Sequence, residues 1–216
     1  MTQDGARIRA LLVDDHPVVR AGYKLLLEQG DEIEVVAEAE SGEVACRHYI
    51  DRAPDVVIMD LSLRGMSGLE AIRRIVSRDE HAKILVFSMH EDTMFVERAL
   101  AAGAKGYLTK SSAPDALVDA AKQVAAGKLY LDADIARRLA FQKAGGRSAT
   151  LQALSTREFE IFCLLASGET SADIGRQLSL SAKTVANYAS QIKSKLGTST
   201  TAELTRLAIR QGIIEA

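Results

Sequence analysis

Five side chains in this 216-residue chain have the types and the spacing to hold a hard cation and carry a phosphoryl group. Asp14 and Asp15 follow the apolar run Ile8 to Val13, and Asp60 follows Val56-Val57-Ile58-Met59. Ser88 ends the run that begins at Ile84, and Lys110 follows Gly106 to Thr109. Each polar group stands where a buried strand would emerge at its carboxyl end, the edge at which ligands collect in open α/β sheets. Three carboxylates gathered there repel one another unless a cation sits among them. A few hard oxygen donors, open to water and with no competing His/Cys set, select Mg²⁺ over zinc. Lys110 can pair with Asp60 and with any anion attached to it, and Ser88 offers a hydroxyl at the same level. An aspartate beside Mg²⁺ and an ammonium group is arranged to attack phosphorus and become an aspartyl phosphate, through positioning and charge neutralisation. Any one of these residues alone reads equally well as a turn or a helix cap. His16 and His90 lie near the tips and read as loop residues.

The elements that must position this set follow from periodicity. Ile33 to Ala37 supplies one further strand, giving five. Helical spacing intervenes each time: Pro17 opens the first helix and Ser41 caps the second, with Glu43 in its first turn. Leu69, Ile72 and Val76 mark the third. Asp92 caps the fourth, which stops at Gly103, and Pro114 opens the fifth, which stops at Gly127. Five strands alternating with five helices through short connections predict a doubly wound parallel sheet covered on both faces, an α/β domain over residues 1–128.

Bulk properties agree with a folded chain: 47% hydrophobic and 26% charged residues, three prolines, and no low-complexity run. No apolar run is long enough for a membrane span, and the first residues lack the layout of a signal peptide, so a cytoplasmic protein without membrane association is expected. Cys46 and Cys163 are read as buried free thiols in a reducing compartment. The net charge of −2 conceals an asymmetry: −5 through Lys128, +2 over 129–150, and +1 from Leu151 onward. An acidic front and a mildly basic rear suit a metal or phosphate site followed by a polyanion-binding module.

Residues 129–150 read as a linker, with a helix over 133–141 and a hinge at Ala144-Gly145-Gly146-Arg147-Ser148. From residue 151 to 216 the pattern is all-helical. Ser155 and Glu158 form a capping box for a helix carrying Phe159, Phe162 and Leu165. A short helix over 171–178 is joined by Ser179-Leu180 to a longer one capped by Ser181 and running to Leu196. A fourth spans 200–210. The second and third make a helix-turn-helix. The longer helix buries Val185, Ala189, Ile192 and Leu196 and leaves Lys183, Ala186, Asn187, Ser190, Gln191 and Ser194 outward. In a major groove Asn187 and Gln191 would reach base edges, Lys183, Lys193 and Lys195 would serve phosphates, and Thr184 would lie near the helix amino terminus. Leu204, Leu207 and Ala208 read either as a dimer contact or as core packing.

These motifs carry a family resemblance over nearly the whole chain. Val13-Asp14-Asp15-His16, Met59-Asp60, Gly68, Ser88 and Tyr107-Leu108-Thr109-Lys110 resemble the receiver domain, a flavodoxin-like fold, of a two-component response regulator. Leu154-Ser155, Arg157-Glu158, Gly168, Ile174, Lys183-Thr184-Val185 and Lys195-Leu196-Gly197 resemble the LuxR-type helix-turn-helix of the NarL/FixJ class, in its GacA/UvrY-like group. The resemblance implies that Asp60 accepts phosphate from a cognate sensor histidine kinase. Asp14, Asp15, Asp60 and the Ser62 carbonyl would hold Mg²⁺, and Lys110 would contact the phosphate. Ser88 and Tyr107 would form a switch pair: phosphorylated Asp60 draws the Ser88 hydroxyl and leaves room for Tyr107 to turn inward. Double-stranded promoter DNA and a second copy of the chain would be the partners, with RNA polymerase a further candidate. The sequence departs from the family in having Leu63-Arg64 where Met-Pro is usual, Ser111 after Lys110, and Ala186 and Tyr188 where relatives carry Lys and His.

Two other readings use the same residues. One is an Mg²⁺-dependent phosphohydrolase with Asp60 as nucleophile, for which no second catalytic acid stands out. The other is a phosphorelay module whose helical end contacts protein instead of DNA.

Overall fold

The computed structural model describes residues 7–145, 151, 153–178, 180–211 and 213–214. It divides into two compact units, residues 1–137 and 138–216.

The first unit is built on β1 (Ile8–Val13), α1 (Pro17–Glu28), β2 (Ile33–Ala39), α2 (Gly42–Arg52), β3 (Val56–Met59), α3 (Gly68–Arg78), β4 (Ile84–Ser88), α4 (Thr93–Ala101), β5 (Gly106–Thr109), α5 (Pro114–Ala125) and β6 (Tyr130–Leu131). The sheet is parallel throughout, in the order β2-β1-β3-β4-β5-β6. It therefore has six strands, not the five expected. Gly127 turns the chain out of α5 with φ +79°, and Tyr130 and Leu131 then pair with Gly106 and Tyr107. Two residues are too short a stretch for any periodicity to announce.

Register decides which tips meet. Val13 is level with Met59, Met59 with Val86, and Ser88 with Thr109. The residues that follow these strands therefore share one edge. The strand order reverses at β1, so the crevice between the β1 and β3 tips is the switch point where such sheets bind ligands.

Alternation along the strands supplies two cores. Ala10, Leu12, Val35, Ile58, Leu85 and Phe87 pack with Leu27 of α1 and with Leu117, Ala120, Ala121 and Val124 of α5. Leu11, Val13, Val57, Met59 and Val86 alternate with that set and are likewise buried, as are Ala45 of α2, Ile72 of α3 and Val96 of α4. Fully burying each Leu, Ile or Val contributes roughly 1.5–3 kcal/mol, which holds the polar tips in place from below. Local signals set the helix starts: the Ser41 hydroxyl accepts from the Val44 N–H, Asp92 accepts from Met94 N–H, and prolines open α1 and α5. Cys46 and Cys163 are free thiols, but half-buried and not buried as expected; Cys46 Sγ rests at the α2–α3 groove, 3.9 Å from the Ala71 carbonyl.

A helix α6 (Ala133–Gly145) follows β6 and spans the division between the units. The expected hinge began at Ala144, but Ala144 and Gly145 belong to this helix, which runs past the expected end at 141; Gly146-Arg147-Ser148 lie outside the described residues.

The second unit contains α7 (Thr156–Ala166), α8 (Ser171–Leu178), α9 (Ala182–Leu196) and α10 (Thr201–Arg210). Phe159 and Phe162 of α7, Ile174 and Leu178 of α8, Val185 and Ile192 of α9, and Leu204 and Ala208 of α10 form its core. Leu204, Leu207 and Ala208 are thus core residues of their own domain. The capping box is present in both directions, Ser155 N–H to Glu158 Oε2 at 2.7 Å and Glu158 N–H to Ser155 Oγ at 3.3 Å. The α8–α9 turn is closed by Leu180 N–H donating to the Gly175 carbonyl at 2.8 Å. A Cβ at position 175 would lie 2.6 Å from the Leu180 carbonyl, so only glycine permits that turn. Ser179, the other residue of the expected connection, lies outside the described residues. No helix among the described residues is long and apolar enough to cross a membrane.

Candidate functional site

The strand tips converge as the sequence implied. Asp14 follows β1, Asp60 follows β3, and both are almost fully buried, at 2% and 4% exposure. Lys110, delivered by β5 and fixed by its backbone N–H on the Ser88 carbonyl, reaches across both. Its Nζ donates to Asp14 Oδ2 at 2.7 Å and to Asp60 Oδ2 at 2.6 Å. Burial works against the ammonium, but Asp60 and Asp14 together outweigh it and hold the Lys110 pKa above the ordinary lysine value. Asp60 Oδ1 accepts from the Ser62 N–H at 3.2 Å. Asp14 Oδ1 accepts from the His16 N–H at 2.7 Å, and the Asp14 carbonyl accepts from Arg20 Nη1 at 2.6 Å.

Asp15 is held differently. Burial pushes its carboxyl above the usual carboxylate range; His16 opposes the shift, while Asp14 and Asp60 add to it. Its Oδ1 is buried and makes no hydrogen bond; His16 Nδ1 stands 2.8 Å away but off the axis a hydrogen bond needs. Its Oδ2 lies 3.4 Å from Arg64 Nε. Ligand atoms of Asp14, Asp15 and His16 fall within 4.8 Å of one another. A carboxylate oxygen buried without a partner, in a set of hard oxygens, fits Mg²⁺.

The glycine after this loop is obligatory. A Cβ at Gly68, where α3 begins, would lie 2.0 Å from the Asp60 carbonyl oxygen and 2.8 Å from Leu61 Cα. Gly68 N–H also donates to the Leu61 carbonyl at 3.1 Å, so the helix start and the β3 tip are effectively one piece.

The two expected switch residues sit on the neighbouring strands. Ser88 is fully buried, its Oγ 3.5 Å from the His90 N–H. Tyr107 is also fully buried and its hydroxyl donates to the His90 carbonyl at 2.7 Å, so the inward position is the one observed. Burial, with Asp60 nearby, pushes the Tyr107 hydroxyl well above the tyrosine range. His90 is a residue that sequence reasoning passed over. Its Nε2 is 3.0 Å from Ser62 Oγ and its ring stacks on Phe95 with centroids 3.9 Å apart. Burial lowers its pKa, so the ring is held neutral. The available signal was positional: Ser62 and His90 each stand two residues past a tip residue, Asp60 and Ser88.

In the second unit, Lys183, Ala186, Asn187, Ser190, Gln191 and Ser194 are exposed along one side of α9, opposite Val185 and Ile192. Thr184 and Lys193 are half-buried, and Thr184 Oγ1 is 2.7 Å from the capping Ser181 hydroxyl. Lys195 is exposed as well, and its Nζ donates to buried Glu158 Oε2 at 2.7 Å, tying α9 to the α7 capping box.

A doubly wound sheet with a buried Asp–Lys–Asp cluster at its switch point, followed by a helix-turn-helix unit, defines a phosphorylation-responsive, DNA-binding class of protein. Comparison with known proteins agrees. Residues 10–122 match the response regulator receiver domain, and residues 152–208 match the bacterial regulatory proteins of the luxR family. The transcriptional activator protein ExaE of Pseudomonas putida is 44% identical over 207 residues, covering 94% of this chain and 97% of that protein. The response regulator UvrY of Escherichia coli K12 is 39% identical over 211 residues, covering 97% of each. The structure of RcsB from Salmonella enterica serovar Typhimurium, bound to a promoter in the presence of phosphomimetic BeF3−, is similar with a TM-score of 0.64 at 27% identity, over 93% of this chain and 97% of that one. The chain belongs to the two-component response regulators with a LuxR-type helix-turn-helix, the NarL/FixJ class, and is similar to UvrY and GacA within it. It is a phosphorylation-controlled, DNA-binding transcriptional regulator.

Proposed function

We propose that Asp60 is the phosphoacceptor and that the cluster around it is an input switch for the helix-turn-helix unit. The observation that carries this is Lys110, whose buried ammonium bridges Asp14 and Asp60 although it lies 96 and 50 residues from them in sequence. In the transfer, a carboxylate oxygen of Asp60 bonds to phosphorus while the bond from phosphorus to the imidazole nitrogen of a sensor kinase histidine breaks. Lys110 already lies on the Asp60 carboxylate and follows the developing negative charge without reorganising. Asp14, Asp15, Asp60 and the Ser62 carbonyl would hold Mg²⁺. When bound, the ion neutralises phosphoryl oxygens during the transfer. The residues promote this reaction on their own aspartate and not turnover of an outside substrate.

A phosphoryl group on Asp60 offers acceptor oxygens to the Ser88 hydroxyl. Drawing Ser88 off the His90 N–H alters the loop whose carbonyl receives Tyr107, and with it the β4–α4 and β5 surface. The altered surface favours a homodimer, and two copies on two half-sites give the DNA affinity that one weakly basic module lacks. On double-stranded promoter DNA, Asn187 and Gln191 read base edges and Ala186 and Ser190 line the same face. Lys183, Thr184 and Lys193 meet phosphates. RNA polymerase is the next contact in this reading, and the site of action is the cytoplasm, where that DNA lies.

Replacing Asp60 by Asn is expected to abolish phosphate incorporation from a small-molecule phosphodonor. Undiminished labelling of that variant refutes the assignment.

A further inference from the structure

The three carboxylates are not compensated alike. Lys110 serves Asp14 and Asp60 and is 7% exposed at its side chain. Asp15 instead has the His16 ring near Oδ1 and one other cationic group, Arg64, on Oδ2. Arg64 comes from the loop between β3 and α3, and its backbone is pinned. It pairs with Ser41 in an isolated parallel bridge, and two residues on the Met66 N–H donates to Glu43 Oε1 at 3.0 Å. Gly42 lies so close under this loop that a Cβ there would be 2.7 Å from the Met66 carbonyl. From this fixed base the Arg64 side chain, 66% exposed, turns back to Asp15, which is 6% exposed.

We propose that Arg64 is a built-in competitor for the divalent cation: it is the counter-ion of Asp15 in the metal-free chain, and Mg²⁺ must displace it. This rests on the reading above that Asp15 is a metal ligand. A guanidinium and Mg²⁺ cannot both sit against one carboxylate without strong mutual repulsion. The two basic side chains of the site respond differently to a metal. Lys110 is enclosed and bonded to two aspartates, so it stays. Arg64 is anchored at its backbone and mostly in water at its tip, so its side chain can leave for solvent with little penalty. Its departure is the step that frees Asp15 Oδ2, while Oδ1 is already without a hydrogen bond. The site is thereby tuned to bind Mg²⁺ more weakly than its carboxylates alone would, and the competition fades as salt screens the exposed partner.

The test is calorimetric titration of the full chain with MgCl2 at pH 7.5, for wild type, Arg64→Ala, Arg64→Lys and Asp15→Asn, with thermal melts confirming that each variant is folded. Arg64→Ala is expected to bind Mg²⁺ about three- to tenfold tighter at low salt, the scale of an ion pair with one exposed partner. The gain should shrink at 0.5 M KCl, and Arg64→Lys should stay within about twofold of wild type because it keeps the charge. If wild type binds through Asp15 but Arg64→Ala binds equally or more weakly, the competition is refuted and the metal-site reading stands. If wild type takes up no Mg²⁺, or Asp15→Asn binds as well as wild type, the metal-site reading itself fails and the proposal falls with it.

Discussion

The same substitution, glycine to alanine, should move stability in opposite directions at two positions of the receiver. At Gly68 an added Cβ meets backbone, 2.0 Å from the Asp60 oxygen and 2.8 Å from Leu61 Cα. Real Cβ contacts are not that short, so the start of α3 must retreat by more than 1 Å from the β3 tip, taking the Gly68–Leu61 hydrogen bond with it. Overpacking of this kind costs about 1–3 kcal/mol, and the upper end applies because backbone cannot rotate aside. For a domain of this size each kcal/mol corresponds to about 3–6 °C, so Gly68→Ala should lower the melting temperature of the receiver by roughly 10 °C. At Gly22, inside α1, no atom lies within 4 Å of the built Cβ. There the helix gains about 1 kcal/mol from alanine, and the melting temperature should rise by about 3–5 °C. Circular dichroism melts of the two variants and wild type decide the matter. The Gly68 variant should also label poorly with a phosphodonor, since its strain falls on the Asp60 carbonyl, whereas the Gly22 variant should label normally. A Gly68→Ala chain that melts at or above wild type refutes the claim that the β3 tip and α3 are locked together.

Lys110→Met leaves Asp14 and Asp60 buried without the ammonium they share, a change that costs about 3–5 kcal/mol when one partner of a buried pair is removed. Urea denaturation at pH 7 should show that loss, and added MgCl2 should restore part of it; unchanged stability would contradict the bridging role. The Lys195–Glu158 pair makes a pH prediction. Burial favours the protonated acid, but the Lys195 and Ser155 hydrogen bonds outweigh it and hold the Glu158 pKa below its usual value. A depressed folded-state pKa gives stability that is present above the unfolded value, about 4.3, and lost as pH falls through the folded one. Unfolding of the helical domain followed from pH 6 to pH 3 should show this loss, and Lys195→Met should flatten it. On DNA, Lys183→Ala should reduce the salt dependence of binding by about one unit of slope for all sequences. Asn187→Ala should instead relax discrimination at one base position, with about 1–3 kcal/mol lost there.

Much of this was legible because the tips obey register. Once Val13, Met59, Ser88 and Thr109 end parallel strands, the residues after them have no freedom to lie apart, so Asp14, Asp60 and Lys110 could be grouped from sequence alone. The helix boundaries at Ser41, Asp92, Ser155 and Ser181 were legible for a local reason, since each cap acts within three residues of itself. What escaped depended on contacts that no local pattern encodes. β6 is two residues long and is defined by its pairing with Gly106 and Tyr107 of β5. His90 looked like a loop residue because its role depends on Ser62, Tyr107 and Phe95 arriving from three other elements. That Lys195 ties α9 to Glu158, 37 residues earlier, is likewise a contact no local pattern shows.

The division between the centre of the cluster and its rim bears on function. Asp14, Asp60 and Lys110, the side chains that meet as grouped, are the ones whose charge must be balanced inside the cluster itself, so their types declare their partners. Arg64 and His90 instead connect the cluster to its surroundings: Arg64 to the loop pinned by α2, His90 to Ser62 on one side and to Tyr107 on the other. A switch needs both kinds of residue. Asp14, Asp60 and Lys110 form a rigid, enclosed centre that a phosphoryl group can charge without moving. The exposed or hydrogen-bonded neighbours are where that added charge can be converted into displacement. The proposed acceptor was thus readable from the strand tips, while the residues that would carry the response lie two to four positions beyond them.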